Sequence, residues 1–480
     1  MSSEKTELLK SFGTNMAIIL VVSNIIGSGV FKKVAPMSEG LLSPNLVILA
    51  WVLAGIITLF GVLSIAEVGT MFPHSGGAYS WLEQMYGQKI SFFYGWSCFT
   101  VIQSATIASI AFVFAGALNT FVPLPQFSDE ISQIAIGPLR PFENIGAKIA
   151  SILLIVFLSV VNARGAKNAG ILSQIFTWII VICIIGIIIF GLTSSVGAFQ
   201  NISNVSAQYP PADFSRFHGL GFFMVMVIAM RNAFWGYEGW ISLGYIGAEI
   251  QHPEKSIPKA LISGILIVIG IYVCINFTYL YVMPLDELLA KVNADENNIA
   301  AVVVVDKLFG NGGAYIVSAM ILISTFGCTN ATVLTASRIY YAMAQKKLFF
   351  PKAAILDPVR KTPVNSLIYQ CIWASILVLS GSFDMLTDLL IFAAFIFYGI
   401  TVYGVIVLRK KKAHLDRPYK VIGYPIVPMI FVIFCVILVV VSFLETPLQS
   451  LIGICLILSG LPFYLKWSKS KAVAESQSMQ

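Results

Sequence analysis

The sequence predicts an all-α integral membrane protein, and three observations carry that prediction. Of its 480 residues 58% are hydrophobic and 11% are charged, whereas a soluble domain is about 45–50% apolar and about 25% charged. The mean hydropathy is +0.86. Apolar stretches run well beyond the alternating segments of about 10 residues that a transmembrane barrel would show. The net charge of +7 comes from scattered basic loops, so nucleic-acid binding is excluded as the main role.

Twelve stretches meet the requirement of about 20 mostly apolar residues for a helix that spans a membrane. The chain begins with polar residues, and no small-residue cleavage site follows the first apolar run. We therefore expect that run to be the first span and not a cleaved signal. The predicted spans, numbered 1 to 12, are 14–37, 44–70, 90–122, 148–163, 170–193, 219–247, 258–283, 311–343, 363–382, 386–408, 421–443 and 446–467.

The distribution of basic residues predicts the orientation, because Lys and Arg are enriched in cytoplasmic loops. With the N-terminus inside, 22 of the 30 Lys and Arg lie in inside segments, 7 lie in outside segments and Arg231 lies within span 6. This bias predicts a multi-pass protein of the cell (plasma or inner) membrane. Both tails, 1–13 and 468–480, would then be cytoplasmic.

The cysteines and histidines predict neither a disulfide framework nor a metal site. All seven cysteines lie inside apolar spans, where a free Cys behaves as a small hydrophobe. The four histidines lie in loops or at span ends without metal-ligand spacing. We expect no metal and no other cofactor.

Span 1 contains a sequence that weakens a helix near the middle of the membrane. Gly27 and Gly29 flank Ser28, and each glycine costs a helix about 1 kcal/mol. Unwound backbone at that depth is tolerated only where it is buried or lines a water-filled cavity. The alternative is that these small residues let a neighbouring helix approach closely.

Span 6 favours the cavity over simple packing. It carries Arg231 and Glu238 in an apolar stretch, with Gly236 and Gly239 beside the glutamate. An ionisable residue inside a span indicates a functional site. Spans 1 and 6 are also the first members of two five-helix halves, 14–193 and 219–408, and an odd number of spans inverts the second half. Glycine-interrupted spans at matching positions of inverted halves are the best sequence pointer to a transporter site.

Two broken antiparallel helices predict a ligand with both charges. The half-helix that starts after a break offers free N–H groups to an anion, and the half that ends before a break offers carbonyls to a cation. The natural ligand of such a site is a zwitterion, that is, an α-amino acid.

The sequence Asn-Ile-Ile-Gly-Ser-Gly-Val-Phe at 24–31 is the first of several motifs that extend over nearly the whole chain. These motifs resemble those of the amino acid–polyamine–organocation superfamily, especially its L-type amino acid transporters and arginine/agmatine antiporters. Further matching segments, in the same order as in the family, are 66–79, 239–240, 248–258, 337–338, 362–365 and 417–428.

This resemblance implies a leucine-transporter-type core, in which spans 1–5 and 6–10 form a five-plus-five inverted repeat with broken helices 1 and 6. Spans 11 and 12 (421–467) would be peripheral. The substrate carboxylate would meet the N–H groups of Ser28 and Gly29 and the Ser28 hydroxyl, beside Gly27. The ammonium would meet the carbonyls of Ile25, Trp235 and Glu238, and Trp235 would close over bound substrate as the gate.

The same resemblance leaves four side chains with more than one interpretation. Glu238 could stay protonated, pair with Arg231, or bind a polar or cationic substrate side chain. Lys32 and Lys33 place positive charge on the outward path or extend to the outer interface. In span 8, Ser324 and Thr325 could help hold an ion or could form ordinary helix hydrogen bonds; the Lys that many L-type relatives carry in span 5 is missing here.

The resemblance predicts a secondary active amino acid transporter that works by alternating access, with neutral L-amino acids as the expected substrates. Cationic amino acids or polyamines are the alternative substrates, and a non-transporting amino acid sensor is the alternative function. The loop 123–147 contains no Cys, so we expect no disulfide-linked heavy chain. No catalytic motif such as G-x-S-x-G is present, and we predict that the protein is not an enzyme.

Overall fold

The computed structural model describes residues 8–134, 141–206, 208, 220–294, 299–310, 312–380 and 383–478. Some parts of the predicted elements lie outside these ranges. They are most of the N-terminal tail, the last two residues, part of the loop 123–147, and one or two residues at the edges of spans 6, 8 and 9. Within the described ranges every regular element is helical. Extended pairing there is limited to two isolated bridges, Phe12 with Ile250 and Ser75 with Ile246.

Helices occupy all twelve predicted stretches. In spans 1 to 6 they are Thr14–Ile25 with Gly29–Lys32, Pro44–Met71, Gln88–Ser97 continuing through a π-helical turn Cys98–Ile102 into Gln103–Asn119, Ile145–Ala163, Ala166–Thr193, and Gly221–Tyr237. In spans 7 to 12 they are Pro253–Val282, Gly313–Gln345, Val364–Ser380, Phe383–Lys411, Ile426–Glu445, and Pro447–Leu458 with Gly460–Ser478. Shorter helices in the connections are Val34–Leu41, Ala78–Tyr86, Asp129–Ser132, Gln200–Ser203, Leu285–Asn293, Ala300–Phe309 and Pro351–Ala354, the last of them 3-10.

Ten helices in the described ranges are long and apolar enough to cross a membrane. The two predicted spans without such a helix are 6 and 9, where Gly221–Tyr237 and Val364–Ser380 have 17 residues each. Span 6 was predicted to continue to residue 247, but its α-helix stops at Tyr237 because the backbone breaks there.

Burial separates the inner helices from the outer ones. In spans 1, 3, 8 and 10 at least 72% of the most apolar stretch is buried, against 17–33% in spans 5, 11 and 12. The outer helices expose large apolar side chains such as Ile182, Trp178 and Val436, as expected of surfaces that face lipid. The inner helices therefore position any polar site.

Two buried carboxylates tie the helices together at the end that carries most of the basic residues. Glu249 forms a fully buried ion pair with Arg338, with 2.7 Å between Oε1 and Nε. Glu67 accepts hydrogen bonds from the Arg409 guanidinium and, at 2.8 Å, from the N–H of Val421. Glu67 thus binds donors of the segment after span 10, and it stabilises the fold at this end.

Candidate functional site

The break in span 1 lies at the predicted Gly-Ser-Gly sequence. The first α-helix ends at Ile25, the N–H of Gly27 turns back to the Ile25 carbonyl at 2.8 Å, and the helix resumes at Gly29. Ser28, between the two halves, is completely buried. The prediction of a broken first span is confirmed.

The groups expected to bind a carboxylate are free of protein partners. In the described part of the chain no acceptor is hydrogen-bonded to the N–H of Ser28 or Gly29, and the buried Ser28 Oγ also lacks a partner. Buried polar groups normally have hydrogen-bond partners, so these three donors together form a candidate binding site for an anionic group. The Ile25 carbonyl differs, because it already accepts from the Gly27 N–H and lies 2.9 Å from the Tyr272 hydroxyl.

The break in span 6 lies directly after Tyr237. Gly239 has a φ of +105°, a backbone conformation that favours glycine. Beyond it the chain continues as two 3-10 turns, Ser242–Tyr245 and Gly247–Glu249. The break was predicted from the glycines, but the second half is therefore 3-10 and not the α-helical continuation that the predicted span implied.

The two breaks touch each other at two points. A Cβ at Gly29 would lie 2.6 Å from the Gly236 Cα, and a Cβ at Gly239 would lie 2.3 Å from the Asn24 carbonyl oxygen. Both distances are shorter than van der Waals contact, so only glycine allows the backbones this close. The glycines thus allow the helices to unwind and also allow the two backbones to approach each other closely. The sequence interpretation had treated these two roles as alternatives.

Side chains from spans 7 and 8 hold the unwound backbone, and the sequence analysis had missed most of them. The Tyr272 hydroxyl lies 2.9 Å from the carbonyl oxygens of both Ile25 and Gly236. This one hydroxyl group therefore contacts both breaks, and its single proton is shared between the two carbonyl oxygens. Cys328 Sγ lies 3.4 Å from the Asn24 carbonyl oxygen. A tyrosine in an apolar span gives no signal of this role, since its partners are backbone groups distant in sequence.

The two hydroxyls considered for an ion site have protein partners. Ser324 Oγ lies 3.0 Å from both the Ile26 and the Gly27 carbonyl oxygens. Thr325 donates at 2.6 Å to the carbonyl of Ile321, one turn earlier on its own helix. Ser324 therefore supports the break in span 1, and Thr325 forms the ordinary helix hydrogen bond that was its alternative interpretation.

Glu238 is buried at the break in span 6, and no cationic side chain among the described residues pairs with it. Its Oε1 accepts a hydrogen bond from the Tyr398 hydroxyl at 2.5 Å, while its buried Oε2 has no partner in the same part of the chain. The nearest ion-pair partner of Arg231 is Asp388, with 3.8 Å between Nη2 and Oδ1. Pairing with Arg231 was one of three interpretations of Glu238, and the described residues form no such pair: the break turns Glu238 toward Tyr398 of span 10.

Aromatic rings and lysines cover one end of the site. Trp235 is 8% exposed and packs edge-on against Phe383, with 5.3 Å between ring centroids. Lys33 Nζ lies 5.2 Å from the Trp235 ring centroid and 3.3 Å from Asn232 Oδ1, and Lys32 Nζ lies 5.0 Å from the Phe383 centroid. Such distances are those of cation–π interactions. The two lysines are thus neighbours of the expected gate.

A small cavity lies between the two breaks. The side chains and backbone around it come from spans 1, 3, 6 and 8, and the predicted site residues are its main lining. Its volume is about 20 Å³, room for one water molecule. The lining residues are Asn24, Ile25, Gly27, Ser28, Gly29, Thr106, Ile110, Trp235, Gly236, Glu238 and Cys328.

Comparison with known proteins identifies the family of this chain. The model of the family described as "Amino acid permease" matches residues 12–461. The chain is 31% identical over 474 residues to the serine/threonine exchanger SteT of Bacillus subtilis (strain 168), covering 98% of this chain and 100% of that protein. It is 31% identical over 464 residues to the human b(0,+)-type amino acid transporter 1, covering 96% and 88%. It is 30% identical over 458 residues to the mouse large neutral amino acids transporter small subunit 2, covering 95% and 81%.

The family match covers the two breaks, the cavity and nearly every helix of the bundle. The resemblance drawn from the sequence motifs is therefore confirmed, and this chain belongs to the amino acid permease family of the amino acid–polyamine–organocation superfamily.

Proposed function

We propose that this protein is a secondary active amino acid transporter that exchanges neutral L-amino acids across the cell membrane by alternating access. The single observation that carries the proposal is the pair of touching helix breaks. Within the described ranges they leave the N–H groups of Ser28 and Gly29 and the Ser28 hydroxyl without acceptors beside one cavity. Donors arranged in this way suit a carboxylate, and covalent chemistry has no role in such a site.

In this proposal the α-ammonium meets the carbonyls on the other side of the cavity. Those of Trp235 and Glu238 remain candidates. The Ile25 carbonyl becomes available when the Tyr272 hydroxyl donates its hydrogen bond to the Gly236 carbonyl instead. Once the carboxylate and the α-ammonium of the substrate are bound, its side chain contacts the rest of the cavity, which then determines the specificity.

Transport requires the site to change its size. A cavity of about 20 Å³ is too small for an amino acid, so in this proposal it enlarges to admit substrate. Trp235 is the gate in this proposal, because it lines the cavity and is covered on its far side by Phe383 and Lys33. Its ring would swing away to admit substrate and return to cover it.

The names of the relatives favour amino acid exchange. One is a serine/threonine exchanger and one is a transporter of large neutral amino acids. These names support neutral substrates as the leading choice here. Cationic amino acids and polyamines are the alternative, and Glu238, with its unpartnered Oε2, is the side chain that would favour them.

We infer the remaining organisation from the family and the helix positions. The twelve stretches would all span the membrane, with 14–193 and 219–408 as the inverted halves and 421–467 as the peripheral pair. Both tails would be cytoplasmic. A heavy chain linked by a disulfide through the loop 123–147 is not part of this proposal, because that loop has no Cys.

Exchange from proteoliposomes tests the proposal. The purified protein is reconstituted, a radiolabelled neutral amino acid is loaded, and the twenty amino acids, agmatine and putrescine are offered outside one at a time. We expect efflux that is stimulated only by certain neutral amino acids. Efflux driven by a pH gradient and indifferent to every external compound would replace exchange with proton-linked transport. Intact binding without any efflux would instead identify a sensor.

A further inference from the structure

Glu238 is an acidic group in the lining of the cavity between the two breaks. It is 7% exposed, and among the residues that the structure describes its Oε2 has no hydrogen-bond partner. Its Oε1 accepts from Tyr398 on span 10. The unpartnered oxygen is therefore the one available to a ligand.

The groups that face Glu238 from the surrounding helices are neutral. Tyr398 lies on span 10, Tyr245 on the 3-10 turn after the break, and Cys98 on the π-helical turn of span 3. Tyr94 of span 3 is hydrogen-bonded to Tyr245 at 2.7 Å. In the described ranges no Lys, Arg or His forms an ion pair with Glu238, and Arg231 lies beside Asp388 instead.

A carboxylate in such a place needs a positive charge. Burying an ionised carboxyl group without a cation is expensive, and the group takes up a proton instead unless a cation arrives. A proton, or the side chain of a cationic substrate, can supply that charge to Oε2 from the cavity that Glu238 lines. The α-ammonium is balanced by the carboxylate of the same substrate.

We propose that Glu238 is a proton-binding site that exchanges its proton for the side-chain charge of the substrate, a step that rests on the proposed transport function. With a neutral amino acid in the cavity Glu238 is protonated. With a cationic amino acid the Glu238 O–H bond breaks, the proton leaves to the water on the open side, and the carboxylate pairs with the cationic side chain. The loaded transporter then carries the same net charge with either substrate.

This coupling has a direct consequence for exchange between unlike substrates. When internal neutral amino acid leaves with a protonated Glu238 and external arginine returns with an ionised Glu238, one proton leaves the vesicle for each arginine that enters. The exchange moves no net charge. Exchange of a neutral amino acid for itself moves no net protons.

The test uses proteoliposomes that contain the full chain, an internal pH-sensitive dye and a neutral amino acid that the efflux screen selects. External arginine should make the interior more alkaline by one proton per arginine, at a rate that is independent of the membrane potential. In Glu238→Gln arginine uptake should fall about 10-fold or more, because one partner of a buried charge pair is gone. The control Glu254→Gln changes an exposed glutamate and should behave as the unmodified protein.

If arginine does not enter the vesicles, the proposal is tested by measuring the rate of neutral amino acid exchange as a function of pH. Neutral exchange should decline at alkaline pH as Glu238 loses its proton, and Glu238→Gln, which mimics the protonated group, should not show that decline. Tyr398→Phe keeps the carboxyl group and removes the donor that favours its ionised form. In that variant the decline should move to higher pH.

Three results would overturn the proposal in distinguishable ways. Arginine entry without proton movement, in vesicles with normal neutral exchange, would refute the coupling alone. An identical alkaline decline in the unmodified protein, in Glu238→Gln and in Tyr398→Phe would do the same. Absence of all neutral exchange in the unmodified protein would refute the proposed transport function, and the coupling with it.

Discussion

The contact between Gly29 and Gly236 offers the sharpest test of the two-break site. A methyl group added by Gly29→Ala would lie 2.6 Å from the Gly236 Cα and 3.3 Å from Trp235 Cε3. Ordinary van der Waals contact begins near 3.4 Å, so the two breaks must separate by about 0.8 Å. The obstacle is backbone, and no side-chain rotation can relieve it.

The expected cost follows from this displacement. Forcing an extra methyl group into a packed interior costs about 1–3 kcal/mol, and the same free energy corresponds to about 5- to 150-fold in affinity. Because Gly29 also supplies one of the free N–H groups, we expect much of this cost to appear as weaker substrate binding. The measurements are substrate affinity of the purified protein and exchange in proteoliposomes.

The matched control is Gly270→Ala, which adds the same methyl group in the helix of span 7. A Cβ there would meet no atom within 4 Å, and alanine is the better helix former. We expect it to bind and exchange normally. Normal binding and exchange by Gly29→Ala would refute the argument that the close approach of the two breaks builds the site.

Three further substitutions test separate parts of the structure. Trp235→Leu should slow exchange more than it weakens substrate binding, because it removes the gate and leaves the N–H groups in place; exchange rates and affinities are compared in the same preparation. Tyr272→Phe removes the hydroxyl that joins both breaks and should lower binding by about 1–3 kcal/mol, whereas Tyr279→Phe, which removes a buried hydroxyl without a partner, should not. Arg338→Met leaves Glu249 buried without its cation and should lower the melting temperature in detergent, at a cost of about 3–5 kcal/mol.

Controls and contrary outcomes for these variants are equally specific. Trp178→Leu changes a tryptophan that is 54% exposed on span 5, and it should leave exchange unchanged. Arg360→Met changes an exposed arginine and should leave the melting temperature unchanged. Equal losses of binding and of exchange in Trp235→Leu would remove it as the gate. An unaltered melting temperature in Arg338→Met would show that the buried pair does not stabilise the fold.

Much of the fold follows from the sequence because the bilayer imposes strong local rules. Apolar length places the spans, and helices are found in all twelve predicted stretches. The breaks were also predictable, since glycine weakens a helix and its signature at Gly27–Gly29 and around Glu238 is local in sequence. The span 6 boundary was less predictable, because the apolar pattern continues past the point where the backbone leaves the α-helix.

The partners of each polar group were beyond the sequence. Arg231 and Glu238 are seven residues apart and would share one face of a continuous helix. The break instead sends one to Asp388 and the other to Tyr398. Likewise Tyr272 lies 247 residues from Ile25 along the chain, a separation at which no periodicity indicates contact.

The sequence by itself determined what kind of protein this is, where its helices run and where two of them must open, because these features depend on local composition and backbone propensity. The tertiary structure decided which groups at the breaks stay free and which are used by neighbouring helices. In the part of the chain that the structure describes, the N–H groups of Ser28 and Gly29 and one oxygen of Glu238 have no partners, while Ile25 and Ser324 are hydrogen-bonded to other spans. The physical reason is that hydrogen-bond satisfaction depends on distances between helices, and those distances are set by packing around the glycines and not by any one stretch of sequence.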